Sequence, residues 1–150
     1  MYEKSMMYKI TKVVIEILFY AGIVCIVGIP FIAREIRQFG GYSDGFYIPF
    51  CIILLITGLS CEYILFILKK MYKTLLLGNP FCNENTVCFR KLAVACFVCA
   101  FVFFVKMFFS FTIATLIIML IFTVGMLFCL TLKDIFKQAV FYKIENDLTI

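Results

Sequence analysis

The stretch LAVACFVCAFVFFVKMFFSFTIATLIIMLIFTVGMLFCLT, residues 92–131, decides the class of fold. Its forty residues carry a single charged side chain, Lys106. One helix of that length would measure about 60 Å, twice the hydrocarbon core of a bilayer at ~30 Å. Two membrane-spanning helices joined by a tight turn near 108–112 fit instead. Lys106 then lies near the far interface, where its amine is expected to snorkel outward.

Two more apolar runs precede this stretch, at residues 13–33 and 47–68, and each contains one charged residue. Gly, Ser and Asp are frequent in 34–46, which is typical of a loop. Residues 69–90 are polar and contain the helix-stopping sequence Gly-Asn-Pro.

These runs predict an all-α fold, an integral membrane four-helix bundle that forms one domain. The predicted spans are about 13–33, 47–68, 91–109 and 113–132. A cytoplasmic loop is expected at 69–90, with Asn83 or Asn85 capping the third helix. The tail, 133–150, has helical amphipathic spacing and is expected to extend the fourth helix along the inner membrane surface.

The composition excludes a water-soluble domain. Of the 150 residues 65% are hydrophobic and 15% charged, and the mean hydropathy is +1.09. A soluble domain of this size has too much surface for its volume to hide so many apolar side chains. The first run is too long for a signal peptide, carries Glu16, and has no small-residue cleavage site after it, so we interpret it as a retained helix.

The distribution of basic residues predicts the orientation. Eleven of the fourteen Lys and Arg residues lie before the first span, between 69 and 91, or after 132. Positive residues accumulate on the cytoplasmic side, so both termini are expected in the cytoplasm of a cell with this chain in its plasma membrane. The net charge of +5 has the same origin and argues for anionic lipid, not direct nucleic-acid binding.

The residues that carry ordinary enzyme chemistry are missing from the sequence. It has no His, no nucleophilic Ser motif and no phosphate-binding Gly loop, so we expect no enzyme, no catalytic residues and no cofactor. Of eight Cys residues, six fall in apolar runs. Cys96 and Cys99 have metal-ligand spacing, but the sequence offers no evident second pair, and we expect neither a metal site nor a disulfide framework.

Two acidic residues inside the apolar runs, Glu16 and Glu62, are the candidates for a buried polar site. Both are expected in the inner half of the bilayer, where a carboxylate must pair, become protonated or face the bundle interior. We favour a structural polar lock in which Glu16 also reaches Lys12 at i,i−4 spacing. A proton relay or an ion-binding pair, as in a small transporter subunit, is the alternative.

Two polar segments resemble a known family. The sequence has Gly78-Asn79-Pro80-Phe81 followed by Glu84-Asn85, and it ends in Glu145-Asn146-Asp147-Leu148-Thr149-Ile150. This pattern resembles the bacterial membrane-protein family catalogued as domain of unknown function two-nine-seven-five, which has a Gly-Asn-Pro-Phe-x-x-Glu-Asn loop and an Asp-Leu-Thr-Ile ending. Cys82 and Cys88 are variations of this chain.

The resemblance implies four spans and no established reaction. Family members are often encoded beside a small helix-turn-helix regulator of the Xre type, which implies a cytosolic partner of that kind. The candidate partner surface consists of Asn79, Pro80, Phe81, Glu84, Asn85, Glu145, Asn146 and Asp147. An immunity or resistance protein that uses the Phe-rich outer turn against a membrane-active peptide is the second hypothesis. The sequence leaves the oligomeric state open.

Overall fold

The computed structural model describes residues 6–40, 44–76 and 82–148, with side chains at 9–31, 34–35, 48–74 and 82–146. Its elements are four helices, α1 (Met6–Gly40), α2 (Asp44–Leu76), α3 (Asn83–Phe109) and α4 (Ile113–Leu148). Each is long and apolar enough to cross a membrane. The described ranges contain no β-strand. The prediction of an all-α, four-helix membrane fold is confirmed.

Each helix packs against its neighbour in sequence. The contact between α3 and α4 is the most extensive, and α2 joins this hairpin to α1. Within the described residues, no Cα atom of α1 comes within 8 Å of α3 or α4. The bundle therefore consists of a three-helix unit, α2–α4, with α1 attached through α2.

The α3–α4 hairpin forms because α3 presents a face of small side chains. Ala93, Ala95, Cys96 and Ala100 are all buried on α3. Small residues let two helix backbones approach closely in lipid, where packing rather than the hydrophobic effect drives association. Ring stacking sets the antiparallel register, with Phe103 against Phe122 at 6.3 Å between ring centroids. The chain reverses at 110–112, inside the interval where the sequence places the turn.

The helices run farther than the predicted loops allow. Residues 34–46 were expected to be a loop, but α1 continues through Gly40 and α2 begins at Asp44. The same holds for 69–90, because α2 ends at Leu76 and α3 begins at Asn83. Arg, Glu and Gln are frequent in 34–40, and Lys and Leu in 69–76; these residues have high helix propensity, so polarity alone does not end a helix there.

The tail extends the fourth helix, as predicted. The chain continues α4 to Leu148 in one helix of 36 residues. At its first turns the tail lies against α3, where Phe136 and the preceding Leu132 pack with Cys88, Phe89 and Leu92. Its position along the membrane surface stays a prediction. The Phe89 and Phe136 rings are 4.8 Å apart. The apolar face of the tail is thus used inside the bundle.

We call this end of the molecule the stem, formed by residues 67–74, 82–92 and 129–146. Its buried centre combines Ile67 and Met71 of α2 with the N-terminal turns of α3. The expected side-chain cap of α3 is absent. Cys82 is the N-cap residue, and its side chain makes no capping bond. Its carbonyl oxygen accepts from the backbone N–H of Asn85 at 3.1 Å, so the first turn closes through backbone atoms.

Candidate functional site

The Glu62 carboxylate lies against α1 at Gly22. One carboxylate oxygen occupies the space that a Cβ atom on Gly22 would fill. The other, Oε1, is shielded from solvent and has no hydrogen-bond partner in the part of the chain that the structure describes. Burying a polar group without a partner is costly, so this carboxylate is the least satisfied polar group of the α1–α2 interface.

The three residues of the predicted polar lock do not meet in one site: Lys12 and Glu16 contact each other, and Glu62 lies at Gly22. Lys12 Nζ and Glu16 Oε1 are 4.0 Å apart, and the side chains are 58% and 39% exposed. An exposed i,i+4 pair of this kind contributes about 0.3–0.5 kcal/mol. Glu16 is six residues from Gly22, about 9 Å along the helix, so α1 does not bring it level with Glu62. An ion-binding pair of the two glutamates therefore has no geometric support.

A cation from α2 makes the contact that the sequence analysis missed. Lys69 Nζ lies 5.2 Å from the Phe19 ring centroid and 5.9 Å from that of Tyr20. Both rings belong to α1, so this cation–π contact adds an electrostatic attachment between the two helices. The sequence contains the adjacent aromatic pair in the first apolar run, but it does not indicate which lysine contacts these rings.

Four thiols from three helices lie at one level of the bundle. Cys99 on α3 is fully enclosed, with Cys61 of α2 beside it. Cys96 on α3 is also buried, with Cys129 of α4 beside it. A Cβ on Gly125 of α4 would meet the Cys96 sulfur at 3.7 Å, an ordinary contact distance. The expectation that Cys96 and Cys99 form no metal site stays a prediction.

The arrangement is two pairs and not one four-ligand centre. Among the described residues, no three His, Cys, Asp or Glu side chains converge closely enough to hold a metal ion. The sequence contains a partial signal, because Cys61 and Cys99 are equally distant from Pro80. Cys96 and Cys129 are 14 and 17 residues from the turn at 110–112, so counting alone does not pair them. Residues equally distant from a hairpin turn lie level in antiparallel helices.

The stem contains a buried amide that ties α2 to α3. The Thr74 hydroxyl donates to Oδ1 of Asn85 at 2.8 Å, and Asn85 is 1% exposed. Beside it, Lys70 Nζ and Glu84 Oε2 are 3.8 Å apart on the surface. Asn85 was predicted to face a partner. It cannot, because its side chain is enclosed by the helices that it joins.

Comparison with known proteins adds the family. The model of a protein family of unknown function, DUF2975, matches residues 8–150. The chain belongs to this family. No curated protein and no solved structure matches it.

The DUF2975 residues quoted from the sequence differ in their structural roles. Asn79, Pro80 and Phe81 lie outside the described residues. Glu84 is exposed at the start of α3, and Glu145 and Asn146 are exposed near the end of α4. Asp147 belongs to α4, although its side chain is outside the described set. Phe89 and Phe136 are antiparallel neighbours, so Glu84 and Glu145 lie at the same end of the chain's α3–α4 hairpin.

At the opposite end of this DUF2975 protein, the Lys106 side chain reaches the first turn of α4. Its amine donates to the hydroxyl of Thr115 at 2.9 Å. Thr115 is buried, so the hydrogen bond joins the last turn of α3 to the first turn of α4. Three phenylalanines around this turn are strongly exposed, Phe108, Phe109 and Phe111.

Proposed function

We propose that this protein is a non-enzymatic, membrane-anchored interaction protein whose stem faces the cytoplasm and whose α4 end binds a small helix-turn-helix regulator. The observation that carries the proposal is the length of α4. Phe89 is level with Phe136, so the start of α3 at Asn83 is level with about Tyr142. The six residues from there to Leu148 project by about 9 Å beyond α3.

The chemistry of the projecting end supports a basic partner. Glu145 is exposed, Asp147 follows it, and the last turn of α4 contains no basic residue. The C-terminal end of a helix carries a partial negative charge of its own, which adds to these carboxylates. A negative tip therefore extends from a stem rich in Lys and Arg. DNA-binding surfaces are basic. When the tip binds such a surface of the regulator, it competes with DNA for the same basic residues.

The orientation is part of the proposal. Lysines and arginines concentrate at the stem and at the N-terminal end of α1, and few lie at the other ends of the helices. The positive-inside tendency places such ends in the cytoplasm. A soluble regulator then meets the stem without crossing the membrane.

Truncation of the tip tests the proposal. The full chain and a variant lacking residues 145–150 are reconstituted with the purified regulator encoded beside the gene, at low and moderate salt. We expect the truncated chain to insert normally and to lose capture, and the full chain to lose capture as salt rises, because screening weakens charge attraction. Glu84→Gln is the matched control, since Glu84 is an exposed acid at the same end of the hairpin but lies outside the projecting part of α4.

Two results would contradict the proposal. One is undiminished capture by the truncated chain, and the other is capture that does not respond to salt. A pair of variants separates charge from length. Glu145→Gln with Asp147→Asn should weaken capture, while Leu148→Ala in the same helix should leave it unchanged.

The exposed phenylalanines favour a second candidate function, immunity against a membrane-active peptide. Phe108, Phe109 and Phe111 form an apolar rim at the α3–α4 turn, where an apolar peptide face could dock. Cells that express a variant with all three changed to Ser should lose protection against such a peptide, compared with the native chain. Equal survival of cells with and without the native chain would end this candidate.

A further inference from the structure

The Glu62 carboxyl lies in the middle of the membrane-spanning part of α2. The candidate span runs from Ile48 to Thr74, so Glu62 is fourteen residues from one end and twelve from the other. Residues 48–68 contain no other charged side chain, and neither do residues 17–33 of α1. A charge at this depth is costly, so a carboxyl here must be paired with a cation or become neutral.

Glu62 forms no ion pair within the described part of the chain, where the ion pairs join other acidic residues. Lys69, seven residues farther along α2, has its amine over the Phe19 and Tyr20 rings, at 5.2 and 5.9 Å from their centroids. The Oε1 atom of Glu62 is shielded from solvent and has no hydrogen-bond partner among these residues. An isolated carboxylate is much costlier to bury than the neutral acid, so a group in this position takes up a proton.

The other titratable side chains around Glu62 supply no counter-charge. They are Tyr20 and Cys25 on α1, Cys61 beside it on α2, and the enclosed Cys99 of α3. Phenols and thiols ionise to anions, so none of them can neutralise a carboxylate. A second negative charge nearby would favour the neutral form of the carboxyl further.

We propose that Glu62 is a proton-binding site inside the membrane, where its carboxyl is held as the neutral acid against Gly22. A Cβ on Gly22 would meet the carboxyl carbon at 3.3 Å and one carboxyl oxygen closer still, so the group lies directly on the α1 backbone. Backbone N–H groups inside a helix already donate to carbonyls four residues earlier, so α1 offers a carboxylate no free donor. Loss of the proton would therefore drive the carboxylate out of this contact, which belongs to the interface that attaches α1 to α2.

The site opens to lipid and not to water. Glu62 is itself partly exposed. The α2 residues one turn away on either side, Leu59 and Phe66, are apolar and 59% and 54% exposed. Both lie inside the candidate span, so the surface around the carboxyl faces hydrocarbon. A lipid-soluble reagent can reach the carboxyl there, and a reagent with a permanent charge cannot.

Modification by carbodiimides tests the proposal on the full chain, reconstituted in phosphatidylcholine vesicles at about pH 7, where a water-exposed glutamate is ionised. A carbodiimide reacts with the neutral acid. The carboxyl O–H adds across one C=N bond, with the oxygen bonding to carbon and the proton to nitrogen. The acyl group then migrates to a nitrogen, so the stable product keeps every atom of both reactants. Mass spectrometry of the peptides locates it.

Dicyclohexylcarbodiimide, which is apolar, should modify Glu62 about tenfold or more faster than a carbodiimide that carries a quaternary ammonium group, because the charged reagent stays out of hydrocarbon. Glu16 is the internal control. It lies in an apolar run too, but Lys12 is 4.0 Å away, so its carboxyl is expected to be ionised and to react at least about tenfold more slowly with the apolar reagent.

Infrared spectroscopy provides a second readout that needs no reagent. The native chain at about pH 7 should show the carbonyl band of a protonated carboxyl. Glu62→Gln should lack this band, and Glu16→Gln should retain it. Both variants should keep the native far-UV spectrum. The inference does not depend on the regulator, because protonation is measured without any partner.

Three results would overturn the proposal. Absence of both the label and the infrared band from the native chain would show that Glu62 is ionised. Equal labelling by the charged carbodiimide would place the carboxyl in contact with water. Lys69→Gln should leave the label and the band unchanged. If the band is absent from the native chain and appears in this variant, Lys69 is the counter-ion of a carboxylate at Glu62.

Discussion

The absence of a side chain at Gly22 allows the α1–α2 interface to accommodate the Glu62 carboxylate. The Glu62 carboxylate fits against α1 only because Gly22 has no Cβ atom in its path. Glycine weakens a helix by about 1 kcal/mol relative to alanine, so its presence within α1 has a local cost. The close approach of the carboxylate explains the glycine at this position.

Replacing Gly22 with Ala should destabilise the protein by about 1–3 kcal/mol, because the new Cβ displaces the carboxylate. Thermal unfolding in detergent measures the change. Gly125→Ala is the control and should be neutral or slightly stabilising, since its Cβ would meet the Cys96 sulfur at an ordinary 3.7 Å. The double variant Gly22→Ala with Glu62→Ala should recover the loss, and a failure to recover would show that the carboxylate is not the obstacle.

Glu62 itself invites a second prediction. Its Oε1 atom has no partner among the described residues, so removal of the carboxyl leaves no polar group stranded. Glu62→Met should therefore match or exceed the native chain in thermal stability, with Glu62→Gln close to the native value. Glu16→Gln, at a partly exposed site, is the control. A clear loss of stability in Glu62→Met would reveal that the carboxyl stabilises a contact and acts as a lock.

Asn85 is another single residue that joins two helices. Its amide oxygen accepts from Thr74 inside the stem, so Asn85→Ala removes a hydrogen bond between α2 and α3 and leaves a cavity where the enclosed side chain was. We expect a loss of about 1–3 kcal/mol, again by thermal unfolding in detergent. Asn83→Ala should have almost no effect, because Asn83 is exposed and does not cap α3. Equal effects of the two substitutions would show that the Asn85 side chain is not buried and would support the surface role predicted from the sequence.

The helices are longer than the membrane requires. The membrane-spanning helices could be predicted from the sequence because a nearly charge-free stretch of about 20 residues matches the bilayer core. The additional helical turns at the stem could not be predicted, because Lys, Glu and Asn suit both a solvated helix and a loop. Their packing at the stem, with Phe136 of α4 against Phe89 of α3, explains why they are helical.

Truncating that ring contact should release the tail. Phe136→Ala is expected to cost about 2–4 kcal/mol, at the lower end for a half-buried Phe, and to open the α4 tail to trypsin at Lys137 and Lys143. The neighbouring Ile135→Ala is the control, because Ile135 is 53% exposed. If both variants are cleaved at the same rate as the native chain, the tail is not held by this contact.

In the whole molecule, the helices contact one another in the order in which they follow along the chain. Each helix meets the next one in sequence, and α1 joins the unit through α2 alone. Most surfaces of α1 consist of exposed apolar side chains. Such a surface suits lipid as its solvent, which is why 65% hydrophobic composition is compatible with so small a buried core.

Reporter fusions test the arrangement of these helices across the membrane. A fusion after Asp44 and one after Asn83 should report opposite sides, with Asn83 cytoplasmic, because basic residues concentrate at the stem. A fusion after Ser110 should agree with the one after Asp44. If Asp44 and Asn83 report the same side, α2 does not cross the membrane and the four-span arrangement is wrong.

The sequence by itself determined the solvent, the number of helices and the position of the α3–α4 turn. These depend on local composition and run length, which any segment of the chain carries without reference to the others. Only the packing of the helices decides that Glu62 lies against Gly22, at a different level from Glu16, and that Asn85 and Cys99 are enclosed. Those outcomes depend on the register and rotation of one helix against the next. Register follows from side-chain fit, as at Gly22, and no single segment contains that information.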